Sequence, residues 1–122
     1  MNGKKILAVD DEKHMLRLIE YNLKSSGYSV VTASNGEEAV RKAREEKPNL
    51  ILLDIKMPGM NGYEACKLLK KEPSTSRIPV IFVSVIADDE KAKTMGANSY
   101  ILKPFSPGAL LGEVKDVLGE GH

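Results

Sequence analysis

The residues best suited to chemistry stand at the ends of short apolar runs. Leu50-Ile51-Leu52-Leu53 runs straight into Asp54, and Ile55-Lys56-Met57-Pro58-Gly59 follows. A strand that apolar is buried on both faces, and a carboxylate at its mouth is costly to hold charged without a partner. Three other runs also end in polar groups. Ile6–Val9 is followed by Asp10, Asp11 and Glu12, Val80–Val83 by Ser84, and Tyr100–Leu102 by Lys103 and Pro104. Carboxylates gathered in one cleft repel each other and need a cation or protons. Hard oxygen ligands that leave coordination positions to water and phosphate suit Mg2+. A lysine adds a point charge and a serine adds a hydroxyl donor, so metal, Lys103 and Ser84 could each hold one oxygen of a phosphoryl group. Asp54 is then left as nucleophile. It needs no general base, because an aspartate is already ionised at pH 7.

These groups meet only if the intervening segments bring the ends of the runs together. Between the runs lie amphipathic stretches: Glu12–Ser25 with Leu16, Ile19 and Leu23 at helical spacing, and a second helix capped by Ser34 or Asn35, with Ala39, Val40 and Ala43 inward. A third begins at Asn61 and Gly62 and carries Ala65, Leu68 and Leu69 inward; a short fourth runs from Asp88 to about Met95. The fifth starts at Ser106-Pro107 and carries Leu110, Leu111, Val114, Val117 and Leu118 on one stripe. Tyr28–Ala33 is the least apolar strand and suits an edge. The alternation predicts an α/β fold, a doubly wound (βα)5 domain over residues 1–122 with a five-stranded parallel sheet. Order 2-1-3-4-5 is the natural one, and ligands in such sheets bind beyond the carboxyl ends of the strands, where the strand order reverses. The four contiguous strands each deliver a polar group to that edge; the outer one offers only Ala33 and Ser34.

Composition narrows the class. The chain has 122 residues, 42% of them hydrophobic, and a formal net charge of +1, so no global field favours nucleic acid or a membrane surface. Its longest apolar runs are far too short to span a bilayer. Cys66 is the single cysteine, which excludes an intrachain disulfide. A reducing, cytoplasmic setting is the default expectation. Gly119-Glu120-Gly121-His122 reads as a frayed tail or a vector scar.

Taken in order, VDDE (9–12), LLDIKMPGMNG (52–62), VSV (83–85) and YILKP (100–104) resemble the signatures of bacterial response-regulator receiver domains over essentially the whole chain. The resemblance implies a flavodoxin-like fold and a phospho-acceptor that takes a phosphoryl group from a histidine kinase or phosphotransfer protein onto Asp54. It implies Mg2+ held by Asp10, Asp11, Asp54 and the backbone carbonyl of Lys56. Ser84 and Lys103 match the hydroxyl and lysine of the family's site, Ser84 and Tyr100 its switch pair, and Lys103–Pro104 its cis peptide bond. Phosphorylation would shift the population of the face formed by helix 4, strand 5 and helix 5 toward an output domain or target protein. A homodimer on phosphorylation is a further implication; direct nucleic-acid binding and membrane association are not. The output is expected to lie outside these residues, and a stand-alone regulator and a receiver within a longer one read alike. The loop EPSTSRIPV (72–80) resembles receivers of several such contexts.

The chain also departs from that pattern. Ser84 and Lys103 are nineteen positions apart, roughly three residues, or one helical turn, short of the family's spacing. The shortfall predicts a shortened helix 4. Val85 stands where the family most often has alanine, and its bulk is expected to narrow access to the phosphoryl group. Lys56 and Ile86 occupy positions that resemble those tuning dephosphorylation, and neither offers a base to orient water, which predicts slow loss of phosphate. His14 reads as a surface residue, Cys66 as partly buried, and Met57 and Met60 as packing beside the loop. Met15, Leu18, Pro104 and Phe105 form a candidate docking patch for a kinase helix. Two other functions fit the residues less well. An aspartyl-nucleophile phosphatase would carry a second acid two residues after the first, where Lys56 stands. An interaction module without phosphorylation would not need the full set of site residues.

Overall fold

The structure is a computed structural model and describes residues 3–86 and 88–120. Strands β1 (Lys5–Val9), β2 (Ser29–Ala33), β3 (Leu50–Asp54), β4 (Val80–Ser84) and β5 (Ser99–Leu102) alternate with helices α1 (Lys13–Ser25), α2 (Gly36–Glu46), α3 (Gly62–Lys71), α4 (Asp89–Thr94) and α5 (Pro107–Leu118). All strands are parallel, in the order β2-β1-β3-β4-β5. The predicted architecture and the edge position of β2 therefore hold, and α4 is a helix of only six residues.

Period-2 alternation divides the sheet between two cores. Leu7, Val9, Ile51, Leu53, Val80 and Phe82 pack toward α2, α3 and α4, against Ala39, Ala43, Cys66, Leu69 and Ala92. Ile6, Ala8, Leu50, Leu52, Ile81 and Val83 pack toward α1 and α5, against Ile19, Leu23, Leu110 and Val114. β3 and β4 are buried along their whole length, as their unbroken apolar runs require. On α3 the inward residues are Ala65, Cys66 and Leu69, whereas Leu68, expected inside, is 39% exposed. The buried stripe of α3 is turned about the helix axis toward Gly62 and Cys66 rather than Leu68, and the single cysteine, fully buried, takes the place assigned to Leu68.

Helix ends follow local chemistry. Asn35 caps α2, and the Asn61 side chain accepts from Glu64 N–H while Glu64 reaches back to the Asn61 N–H, a capping box. Ser106 caps α5, with Pro107 at its first position. Ser26 is the C-cap of α1, and Gly27 follows with φ +94°. At the far end the expected fray does not hold for Gly119 and Glu120. Gly119 turns left-handed, Glu120 N–H donates to Lys115 O, and its carboxylate accepts from Tyr28 Oη at 2.8 Å and pairs with Lys4 at 2.9 Å. Gly121 and His122 lie outside the described residues.

Two glycines set the loop that follows β3. Gly62 N–H donates to Ile55 O at 2.7 Å, and a Cβ on Gly62 would fall on the backbone oxygen of Asp54 and 2.7 Å from Ile55 Cα. A Cβ on Gly36 would lie 2.6 Å from Met60 O. The loop thus runs tight between the first residues of α2 and α3. Gly62→Ala is expected to lose about 1–3 kcal/mol by overpacking. Gly112→Ala, in the middle of α5 where an added Cβ meets nothing within 4 Å, should instead gain about 0.5–1 kcal/mol from helix propensity. Urea unfolding of the two variants tests both signs.

Candidate functional site

The parallel register aligns the carboxyl ends of the inner strands: Val9 pairs with Leu53, Asp54 with Val83, and Ser84 with Leu102. Alternation then aims the polar groups. Asp54 continues the Leu50, Leu52 face, Asp10 extends the Ile6, Ala8 face by one residue, and Lys103 follows Ile101 in the same sense. Lys103 Nζ donates to Asp10 Oδ2 at 2.7 Å and to Asp54 Oδ2 at 3.3 Å. Oxygens of Asp10, Asp11 and Asp54 lie within 4.8 Å of one another, a spacing with which three carboxylates could hold a metal ion. Asp10 and Asp54 are 1% and 5% exposed, while Asp11 faces solvent.

Each side chain is fixed by its neighbours. Asp10 Oδ1 accepts from Glu12 N–H at 2.9 Å, which orients its carboxylate at the entry to α1. Ser84 is buried at the end of β4, next along the Val80, Phe82 face, and its Oγ accepts from Ile86 N–H at 3.2 Å, so the hydroxyl proton points elsewhere. Lys103 N–H donates to Ser84 O at 2.8 Å, which ties the lysine-bearing turn to β4. The Lys103–Pro104 peptide bond is cis. Lys56 is exposed on the β3–α3 loop, and Met57 and Met60 pack beneath it against the α2–α3 core. Tyr100 lies on β5 opposite Phe82, with its phenol beside Asp89 of α4, whose charge raises its pKa.

Residues around the rim divide. His14 is exposed. Of the proposed docking patch, Leu18 is 44% exposed and Pro104 is exposed, whereas Met15 and Phe105 pack against the α1–α5 core. Val85 is 68% exposed and Ile86 is 48% exposed. The tight contact of Gly62 with the Asp54 backbone has no signal in residue type or spacing, because it depends on the path of the loop.

Burial and the charge of Asp10 push Asp54 from 3.8 up to about 6, against the pull of Lys103. Burial alone would lower the Lys103 ammonium, but its hydrogen bond to Asp10 and the charges of Asp54 and Asp10 outweigh this and raise it. One ammonium therefore leaves the site short of positive charge. A carboxyl that holds its proton more tightly in the folded state adds stability at low pH that is lost as pH rises through its folded value. Asp54→Asn removes that loss. In urea unfolding the variant should exceed the parent by about 1–3 kcal/mol at pH 8, with the gap closing by about pH 4.

The match to known proteins covers fold and sequence together. The model of the response regulator receiver domain matches residues 6–115. The alkaline phosphatase synthesis transcriptional regulatory protein PhoP of Bacillus subtilis is 44% identical over 120 residues, covering 95% of this chain and 49% of that protein. Protein PilG of Pseudomonas aeruginosa is 38% identical over 117 residues, covering 93% and 87%. The chemotaxis response regulator CheY4 of Vibrio cholerae superposes with a TM-score of 0.90 at 30% identity, covering 95% of this chain and 99% of that one. The chain spans about half the length of PhoP and of the ycf27 regulators it also resembles. Parallel (βα)5 order, aligned strand ends, the acid–lysine cluster and these relatives agree: the chain belongs to the response regulator receiver domain family.

Proposed function

We propose that this domain accepts a phosphoryl group on Asp54 from a histidine kinase or phosphotransfer protein, with Mg2+, and that the modified domain alters its contact with an output domain or target protein. The observation that carries this reading is the convergence of Asp10, Asp11 and Asp54 with the Lys103 ammonium at one sheet edge. The donor set is all oxygen and short of positive charge, as a hard divalent cation requires. Asp10, Asp11, Asp54 and the Lys56 carbonyl are the residues that would hold it. When bound, Mg2+ neutralises charge on the phosphoryl oxygens.

The chain's own groups account for the remaining steps. An Asp54 carboxylate oxygen forms the bond to phosphorus as the bond to the donor's histidine nitrogen breaks, and the imidazole leaves with that electron pair. Lys103, already at the Asp54 oxygens, takes up a phosphoryl oxygen, and the Ser84 hydroxyl donates to another. Movement of Ser84 toward the phosphoryl group, with Tyr100 leaving its place beside Asp89, would carry the change to the surface around α4 and β5. None of the described helices is long and apolar enough to cross a membrane, and no step here requires one.

Incubation with Mg2+ and acetyl phosphate, followed by mass spectrometry, should show one added phosphoryl group. Removal of Mg2+ with a chelator or Asp54→Asn should abolish it, and label persisting in Asp54→Asn would refute the assignment. Lys103→Met should slow labelling by about 10²-fold, the usual effect of losing one charge-stabilising donor.

Lys56 and Ile86 present no base to an attacking water, and both are exposed at the rim. The phosphorylated domain should therefore keep its label with a half-life longer than about one minute at 25 °C, measured by phosphate release after removal of donor.

A further inference from the structure

The shortened helix α4 is held from α3, and the contacts begin one residue from the backbone of Asp54. Tyr63, the second residue of α3, follows Gly62, whose packing against the Asp54 carbonyl was described above. Its ring meets Phe82 edge-on, with centroids 5.3 Å apart and planes at 80°. Phe82 lies on β4 two residues before Ser84 and is fully buried. Above the other part of the same ring stands Lys91 of α4, its Nζ 4.7 Å from the centroid. Asp88, the N-cap of α4, lies near enough for its charge to act on the Tyr63 phenol.

Further along the two helices the contacts repeat. Cys66 Sγ donates to Met95 O, the C-cap carbonyl of α4, at 3.3 Å. Lys70 lays its stem against Gly96 and donates to Ser76 O and Ile78 O. These contacts at the carboxyl end anchor α4 to a part of α3 remote from the site. Tyr63 joins α4 to the turn that touches Asp54. On its opposite side α4 meets Tyr100 through Asp89, so Lys91 and Asp89 hold the first turn of a six-residue helix between two tyrosines.

We infer that Tyr63 is a positioning residue that couples the β3–α3 loop at Asp54 to α4 through its ring contact with Lys91, as a route separate from Ser84 and Tyr100. This inference rests on the phospho-acceptor reading of the site. Its physical basis is short and contiguous. A displacement of the β3–α3 loop moves Gly62, which has no free space on its Asp54 side; Tyr63 moves with it, pinned against Phe82, and Lys91 must follow or lose the ring. A cation held over an aromatic face is attracted to it, and a helix with so few residues has few hydrogen bonds of its own, so contacts such as this help fix its amino end.

Hydrogen exchange of residues 88–96 is compared with and without Mg2+ and beryllium fluoride, a phosphoryl mimic, while acetyl phosphate labelling of Asp54 is measured in parallel. The parent should show a clear change in exchange of α4 on addition of the mimic. Tyr63→Leu, which keeps an apolar side chain on Phe82 but removes the aromatic face, should retain labelling and reduce that change by about threefold or more, the scale of one cation–π contact. Tyr63→Phe and Lys91→Arg should restore it. Lys91→Met, at an exposed position, supplies the same test without touching the core and should behave like Tyr63→Leu. Equal changes in the parent and in Lys91→Met, or a labelled parent with no change in α4, overturn the coupling. A parent that takes up no phosphoryl group overturns the reading of the site itself, and the coupling with it.

Discussion

Asp10 and Asp54 are all but closed to water and share one ammonium, that of Lys103. Removing charge from water is expensive, and the expense is recovered only where opposite charge and hydrogen bonds stand ready. Here the recovery is partial. Lys103 is bound more closely to Asp10 than to Asp54, and Asp54 answers by holding its proton well above the usual carboxylate range. Left with one ammonium, the pocket is under-neutralised and unfavourable. Behind it, β3 and β4 are buried along their whole length, which keeps the pocket on a well-packed scaffold.

That scaffold does more than supply stability. Because all strands run parallel, every carboxyl end points the same way, and groups separated by as many as 93 positions meet at hydrogen-bond distance. Asp10 and Asp54 approach through adjacent strands of one register, and the turn bearing Lys103 is fastened to Ser84 of β4 by a backbone hydrogen bond. The β3–α3 loop is pressed between Gly36 and Gly62 and closed by the Asn61–Glu64 capping box. The acid–lysine cluster is thus held on strand ends and a tightly packed loop.

The shortened helix predicted from the Ser84–Lys103 spacing falls between β4 and β5, on the side of the sheet that also carries α2 and α3. Both cores are well packed, but α4 has six residues, and Val85, Ile86 and Leu102 near it are exposed. A short helix contributes few hydrogen bonds of its own, so its position depends on side-chain contacts with α3 and β5. Tyr63, Cys66 and Lys70 provide them from one direction and Tyr100 from the other.

Strand number, strand order and the identity of the polar groups at the strand ends were legible in the sequence, because a period of two, a period of 3.6 and the length of an apolar run are local properties. The cap at Ser106 was legible for the same reason, Asn35 was one of two candidates beside Ser34, and Asn61 was legible only as the start of its helix. Leu68 was misplaced, Cys66 proved wholly buried rather than partly, and Glu120 proved tied to Tyr28 and Lys4, since the direction of a buried stripe and the partners of a chain end depend on what lies across the fold. Only the tertiary structure decided that Lys103 leans on Asp10 more than on Asp54, that Gly62 rests on the Asp54 backbone, and that Lys91 sits over Tyr63. The sequence determines which groups arrive at the sheet edge; distances between them, and hence how their charges act on one another, are set by packing between residues far apart along the chain.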